Sequence, residues 1–346
     1  MITIKKEGII LSETDLDFEN DGVLNPAIIQ EENTVHVLYR AVRKGNHSTI
    51  GYAKLEGPLK VVERKKEPLI IPTTDDEVHG IEDPRIVKID NIYYLTYCAY
   101  DGVNALGSFA TSSDLIHFEK QGVIVPQLSY EEFSLLTEYD ADLNEKYKRF
   151  YIYENIKNNS NKERLLWDKN LIFFPRTIED KFTFLHRIRP DIQIASVKNL
   201  KELTKEFWKD YLLHLNEHIL MTSKYKHEMK YIGGGCPPIE TKAGWLLIYH
   251  GVHDTAEGDV YCACAALLDL ENPKKEIARL PYALFKPELP WECSGYVDNV
   301  VFPTGTSLFD DILYIYYGAA DKRIAVASVN LEELIAELLQ YRKDKR

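Results

Sequence analysis

Glu82 and Asp83 are adjacent carboxylates followed directly by Pro84 and Arg85, within Gly80-Ile81-Glu82-Asp83-Pro84-Arg85. A carboxyl group fixed beside a guanidinium is equipped to give or take a proton at a reacting oxygen. Ile86 to Ile89, Asp90-Asn91 and Ile92 to Tyr97 then read as strand, tight turn and strand. The carboxylates are therefore expected just before a strand, with Pro84 holding Asp83 extended, at the mouth of a sheet. A polar loop entering a hairpin has the same composition, so the weight of this reading rests on recurrence.

The pattern does recur. Five stretches combine a proline, a short apolar run, a turn and an aromatic-rich strand ending in a polar group. They begin at Pro26, Pro84, Pro175, Pro238 and Pro303, in steps of 58, 91, 63 and 65 residues. The aromatic strands are Val35–Arg40, Ile92–Tyr97, Phe182–Arg187, Trp245–His250 and Leu313–Gly318. A four-stranded unit with its loops needs roughly 40–50 residues or a little more. The expected fold is thus all-β, a single five-bladed β-propeller over residues 1–346, with a helical insertion and a C-terminal helix. In a propeller the innermost strands line one channel. Arg40, Asp83, Arg187, His250 and Asp321 are expected at equivalent inner positions, converging on one mouth as a small-ligand site would require.

The whole chain fits this picture. Its 346 residues are 45% hydrophobic, ample for a sizeable core, and 22 tyrosines and 13 phenylalanines favour strands. A net charge of -12 argues against a general nucleic-acid partner but leaves room for a local basic pocket. The first residues lack a signal-peptide pattern, and no window approaches a membrane span. Five cysteines make no metal pattern, so a reducing cytoplasm and no metal are expected. Cys262 and Cys264, two apart in a strand-like run, should face the same side as small strand residues.

Residues 200–220 read as an amphipathic helical insertion, and 330–342 as a terminal helix capped by Asn330. Glu131 to Lys148 reads as a connection and Asn158 to Asn161 as a loop tip. Gly233-Gly234-Gly235-Cys236-Pro237-Pro238 is not a nucleotide phosphate loop, since no Lys-Ser/Thr follows. Either a tight turn or backbone approaching a ligand would account for it.

Several stretches together resemble glycoside hydrolase family 130. They are Gly80–Arg85, Leu185-His186-Arg187, Gly233–Pro238, Trp245–Val252, Ala265–Leu270, Asn299–Pro303 and Tyr316–Asp321, in order from about Asn25 to Leu334. The resemblance implies a five-bladed propeller acting on β-mannoside oligosaccharides. It implies an inverting phosphorylase that releases α-mannose 1-phosphate, with inorganic phosphate as co-substrate and no cofactor. Asp83 matches the catalytic acid, whose proton passes through a sugar hydroxyl in the family's phosphorylases. Lys169, Arg187 and His250 match phosphate-binding positions, Lys169 replacing the more usual arginine and so losing the planar fork. Asn25, Arg40 and Asp321 match sugar-contacting positions, and Glu82, Arg85 and Tyr231 are grouped with them as substrate-binding. Tyr231 stands where the resemblance implies a further phosphate-binding lysine.

Two other functions fit parts of the pattern. An inverting β-mannosidase would use a carboxylate to activate water, for which Asp191 and Glu228 are candidates. A non-catalytic carbohydrate-binding propeller would have no use for an acid facing an anion pocket. A cytoplasmic location favours phosphorolysis, which keeps the bond energy in a sugar phosphate. A homo-oligomer is left open.

Overall fold

The computed structural model describes residues 2–138, 143–156 and 162–342. The loop tip expected at Asn158 to Asn161 lies outside them. About half of the chain is strand, arranged as five antiparallel units in sequence order, the first two fused into one sheet. β1 (Lys5–Leu11) precedes the first of these, which holds β2 (Gly22–Glu31), β3 (Thr34–Arg43), β4 (His47–Glu56) and β5 (Lys60–Arg64). The second holds β6 (Gly80–Ile89), β7 (Ile92–Tyr100), β8 (Ala105–Ser112) and β9 (Glu119–Val123). A single parallel pairing, Ser48 to Gly80, stitches these two into one continuous sheet.

The third sheet holds β10 (Lys169–Phe173), β11 (Phe182–Arg187), β12 (Ile192–Val197) and β13 (Ile219–Met221). The fourth holds β14 (Tyr231–Gly234), β15 (Ile239–Thr241), β16 (Gly244–Thr255), β17 (Gly258–Leu268) and β18 (Glu276–Arg279). The fifth holds β19 (Val301–Phe309), β20 (Ile312–Ala319) and β21 (Arg323–Asn330). Its fourth strand is β1, which pairs with β21 and so ties the amino terminus to the far end of the chain.

Five apolar cores lie between successive sheets. Leu38 and Tyr52 of the first sheet meet Leu95 and Tyr97 of the second. Val87 and Phe109 of the second meet Phe173 and Phe184 of the third. Ile172 and Leu185 of the third meet Trp245 and Tyr249 of the fourth. Leu246 and Ile248 of the fourth meet Ile315 and Tyr317 of the fifth. Tyr316 and Val326 of the fifth meet Val35 and Tyr39 of the first. Neighbouring residues of one strand, such as Trp245 and Leu246, or Tyr316 and Tyr317, thus enter different cores. That is why these strands read as unbroken apolar runs rather than alternating ones. Each fully buried side chain of this size contributes roughly 1.5–3 kcal/mol.

The helices lie outside the sheets' regular pairing. α1 (Tyr130–Thr137) and α2 (Lys146–Ile156) occupy the stretch expected to be a plain connection. Ser129 starts α1 with a reciprocal cap: its Oγ accepts from the Glu132 N–H at 3.1 Å, and the Glu132 carboxylate accepts from the Ser129 N–H at 2.9 Å. α3 (Lys205–Leu213) and α4 (Leu215–His218) form the expected insertion, although Leu220 belongs to β13. Trp208, Tyr211 and Leu212 of α3 pack into the core between the second and third sheets. α5 (Pro290–Cys293) precedes β19, and α6 (Leu331–Gln340) is capped by Asn330 as expected, Oδ1 accepting from the Glu333 N–H at 3.0 Å. No helix among the described residues is long and apolar enough to cross a membrane.

Candidate active site

The first strand of each sheet is interrupted at a similar level. In β2, Leu24 pairs with Arg40 and Ala27 with Leu38, leaving Asn25-Pro26 opposite a single residue. In β6, Glu82 pairs with Cys98 and Arg85 with Thr96, leaving Asp83-Pro84. In β10, Lys169 pairs with Arg187 and Ile172 with Leu185, leaving Asn170-Leu171. β19 shifts register between Pro303 and Gly305, and in the fourth sheet the first strand is split between Gly234 and Ile239. A bulge adds one residue and re-aims a side chain, and proline, lacking an N–H, is tolerated there.

Asn25, Asp83 and Asn170 sit at these bulges with φ of 48°, 50° and 54°. Two expectations are corrected here. Asp83 lies within a strand and is left-handed rather than extended, because the bulge overrides the preference of a residue before proline. Pro175 is not equivalent to Pro26, Pro84 and Pro303: it follows β10, and the bulge of the third sheet is at Asn170. The inner-strand equivalence is also corrected. Arg40, Arg187 and His250 belong to second strands, and Asp321 to the turn after β20.

The bulges open onto a cavity of about 280 Å³ whose lining includes Asn25, Arg40, Asp83, Lys169, Arg187, Tyr231 and Asp321. Seven of the ten residues singled out in the sequence therefore line one chamber. The other three stand behind its wall. Glu82 is buried and ion-paired to Arg40 (2.8 Å) and Lys169 (3.4 Å). Arg85 is 1% exposed, donating to the backbone oxygens of Asp83 (2.7 Å) and Gly235 (3.0 Å). His250 is fully buried, its Nε2 lying 3.4 Å from Nη1 of Arg187.

Asn170, Trp167, Arg189, Tyr261 and Phe302 also line the cavity and were missed. Two of them had a signal in the chain: Asn170 follows Lys169, and Arg189 follows Arg187 by two.

The charges divide the chamber. Asp83 Oδ1 accepts from Asn25 Nδ2 at 2.7 Å and lies 3.4 Å from Arg40 Nη1. Burial pushes the Asp83 carboxyl up, but Arg40, Arg85, Lys169 and the Asn25 amide outweigh it and bring its pKa down to about 2. Asp321 moves the other way. Burial, with the nearby Asp83 and Glu82 charges, raises it to about 6 despite Arg40 and Lys169. Opposite them is a cationic wall. Burial and the neighbouring Arg189 lower the Arg187 pKa. Burial and the guanidiniums of Arg187 and Arg85 hold His250 well below its ordinary value, so it is neutral and its Nε2 accepts from Arg187.

Arg187 is aimed from behind as well: Asp168 accepts from its N–H at 3.1 Å and from His186 Nδ1 at 2.6 Å, while Tyr211 holds His186 Nε2 at 2.8 Å. That Asp-His-Tyr chain is buried and positions backbone. Among the residues lining the chamber, Arg187 Nε, Asn170 Oδ1 and Asn25 Oδ1 are buried atoms without a protein partner among the described residues, and the two amide oxygens pack over Gly233 and Gly318.

The glycine run packs against this wall. A Cβ on Gly233 would stand 2.5 Å from the His250 ring and 2.7 Å from Asn170 Oδ1. Close packing of protein groups, rather than a ligand-cradling loop, accounts for it.

The candidate bases lie elsewhere. Asp191 is fully buried outside the chamber, and Glu228 is bound by Tyr249, Arg279 (3.2 Å) and the N–H groups of Lys224 and Tyr225. His227, Glu228 and Cys264 bring ligand atoms within 4.8 Å of one another, but the Glu228 carboxylate is already occupied by those partners. Cys262 and Cys264 do face the same side, Sγ to Sγ 3.9 Å. A larger hollow of about 510 Å³ lies against α3 with Glu179, Lys181, Asp210 and Lys274 at its rim. None of the ten residues singled out in the sequence lines that hollow, whereas seven line the smaller chamber.

The chamber sets one bulge carboxylate against a wall of cations, and the family and relatives indicate an enzyme of the glycoside phosphorylase type. The chain belongs to glycoside hydrolase family 130: the family model described as beta-1,4-mannooligosaccharide phosphorylase matches residues 12–166 and 150–340. It is 34% identical over 348 residues to the 1,2-beta-oligomannan phosphorylase of Thermoanaerobacter sp. (strain X514), covering 96% of this chain and 99% of that protein. It is 33% identical over 331 residues to the beta-1,2-mannobiose phosphorylase of the same organism, covering 92% and 93%. Its fold is similar to that of the beta-1,2-mannobiose phosphorylase from Listeria innocua solved with beta-1,2-mannobiose. There the TM-score is 0.72 at 21% identity, over 97% of this chain and 99% of that one.

Proposed function

We propose that this protein is an inverting phosphorylase of β-mannosides that releases α-mannose 1-phosphate, with β-1,2-linked mannooligosaccharides as substrate. The observation that carries this reading is the placement of Asp83 and the Lys169–Arg187 pair on one chamber, with Asp191 and Glu228 both outside it. The full-length relatives, named for β-1,2-mannosides, support the linkage.

The chemistry follows from the residues. The terminal mannose sits among Asn25, Arg40 and Asp321, with its glycosidic oxygen toward Asp83. The leaving oxygen needs a proton, and Asp83 is its source through a sugar hydroxyl. Phosphate sits against Lys169 and Arg187 and attacks the anomeric carbon from the opposite face. The C–O bond to the leaving sugar breaks as the new C–O bond to phosphate forms, which inverts the centre. No protein base is required, because the nucleophile is already an anion held by donors. Among its cationic neighbours Asp83 is ionised. A phosphate against Lys169 and Arg187 offsets the Lys169 charge that holds the Asp83 pKa down, so co-substrate binding favours the protonated acid. Arg85, Glu82 and His250 act from behind the wall, orienting Asp83, Arg40 and Arg187. Phosphorolysis keeps the bond energy in the product, which accords with a cytoplasmic setting.

We also infer that the five sheets are the blades of a single five-bladed β-propeller. What supports this is the cyclic order of the five cores, the last of which joins the fifth sheet back to the first.

The test is turnover of β-1,2-mannobiose with and without inorganic phosphate. Saturable dependence on phosphate with α-mannose 1-phosphate as product is expected. Phosphate-independent release of free mannose would overturn the reading.

A further inference from the structure

We propose that Asp168 and His186 form a buried carboxylate–imidazolium pair that sets the main chain of Arg187 for phosphate. His186 is the positioning residue, and Tyr211 closes the pair from behind. The pair's place in the reaction rests on the phosphorylase reading, and its protonation on the hydrogen bonds alone.

Both side chains are fully buried. Asp168 stands immediately before β10, whose first residue, Lys169, pairs with Arg187 of β11 just ahead of the bulge at Asn170. Asp168 Oδ1 accepts from the Arg187 N–H at 3.1 Å, and the Asp168 N–H donates to the Ala105 carbonyl of β8 at 3.2 Å. One residue thus ties the strands of both chamber cations to the neighbouring sheet without lining the chamber itself.

The second carboxylate oxygen decides the charge of His186. Asp168 Oδ2 lies 2.6 Å from His186 Nδ1, and His186 is the ion-pair partner of Asp168 among the described residues. A buried carboxylate without a cation is strongly unfavourable. On the far side of the ring, Nε2 faces the Tyr211 hydroxyl at 2.8 Å. That hydroxyl has one proton and donates it to the Ile194 carbonyl at 3.0 Å. Burial and the Asp168 charge raise the Tyr211 pKa, so the phenol keeps that proton. Nε2 therefore meets a lone pair and donates, as Nδ1 does to the carboxylate. With a proton on each nitrogen the ring is a cation.

The surroundings suit that charge. Trp208, Tyr211 and Phe184 stand 5.3, 5.4 and 6.1 Å from the imidazole, ring to ring. Aromatic rings are a favourable setting for a cation shielded from water. His218 stacks on Tyr211 at 3.9 Å, and burial, with Lys274 and His186, brings its pKa down to about 4, so it adds no second charge there.

The experiment uses the full chain. Long-range 1H–15N spectra of histidine-labelled protein at neutral pH should show two protonated nitrogens for the ring whose signal is lost in His186→Gln. In that variant the KM for phosphate should rise about tenfold or more, the scale on which outer partners of a ligating group act, with the KM for β-1,2-mannobiose unchanged. Its thermal midpoint should fall too, because Asp168 is left without its cation. The double variant Asp168→Asn/His186→Gln removes both charges and keeps an amide oxygen for the Arg187 N–H. Its midpoint and its KM for phosphate should return most of the way to wild type. Tyr211→Phe, which removes only the acceptor at Nε2, should raise the KM for phosphate by less than His186→Gln does. A ring with one bare nitrogen would overturn the proposal. So would an equal rise in both KM values, or a double variant that regains its midpoint but not its phosphate affinity. If His186→Gln does not fold, the double variant assigns the signal and Tyr211→Phe carries the kinetics, where an unchanged KM for phosphate would overturn the proposal. If wild-type turnover ignores phosphate, the phosphorylase reading fails on its own, and the spectra and midpoints still decide whether the pair is ionic.

Discussion

Asn25 donates a 2.7 Å hydrogen bond from Nδ2 to Oδ1 of Asp83, and both residues sit at strand bulges with left-handed backbone, φ 48° and 50°. They are 58 residues apart and belong to different strands, β2 and β6. The bond aims the proposed acid and helps keep it ionised in the free protein. Asparagine and aspartate are among the few non-glycine residues that tolerate this conformation.

That pairing sets the first prediction. Asp83→Asn keeps the shape and the left-handed backbone, so turnover should fall by a factor of roughly 10²–10⁴ while the fold persists. Asp83→Ala should be equally inactive and less stable than Asp83→Asn by roughly 1–2 kcal/mol, because a Cβ-bearing residue without a polar side chain is strained there. Urea denaturation of the two variants, with assays of both, checks this. Equal stabilities would show that the bulge carries no strain.

Arg187 provides the second. Arg187→Gln removes a buried guanidinium from the anion site, and loss of a buried charge partner costs roughly 2–5 kcal/mol. The KM for phosphate should rise more than tenfold, with a much smaller change for the mannoside. Equal effects on both substrates would place Arg187 in general site integrity instead.

Asp321 gives a pH prediction. Its folded pKa, about 6, lies above its ordinary 3.8. Between those values the folded protein binds more protons than the unfolded chain, so this group's contribution to stability falls as pH rises from about 4 to about 6. Above that it is a constant penalty, up to about 3 kcal/mol. Asp83 has the opposite sign, stabilising above 3.8 and lost only as pH falls toward 2, outside this window. Asp321→Asn should therefore gain stability relative to wild type between pH 4 and pH 7. Denaturant midpoints at four pH values test it, and a pH-independent difference would contradict the assigned shift.

Gly233 tests the wall behind Arg187. In Gly233→Ala the new methyl would meet the His250 ring at 2.5 Å. Overpacking of this kind costs roughly 1–3 kcal/mol, and a displaced His250 no longer holds Arg187 Nη1. The KM for phosphate should rise while the KM for mannoside changes little. An unaltered phosphate requirement would show that His250 is not needed to orient Arg187.

The local code was legible in the chain. Strand, turn and strand follow from Ile86–Ile89, Asp90-Asn91 and Ile92–Tyr97, and the Asn330 cap follows from residue type, because both depend on contacts within a few positions. The identity of Asp83, Lys169, Arg187 and Arg40 as site residues came from recurrence and resemblance. The Ser129–Glu132 cap that starts α1 was present as a Ser-x-x-Glu pattern but lay in a segment without helical apolar periodicity. What only the tertiary structure decided is aim. Alternation along a strand assigns a side chain to a face, but a one-residue bulge reverses that assignment, and nothing in Lys169-Asn170 or Phe174-Pro175 announces which position bulges. His250 matched the site by type and order yet stands behind Arg187, whereas Arg189 reaches the chamber because β11 ends between it and Arg187. The chamber is made where five sheets meet. Its members come from positions 25 to 321, and their distances are fixed by the packing of five separate cores rather than by any spacing along the chain.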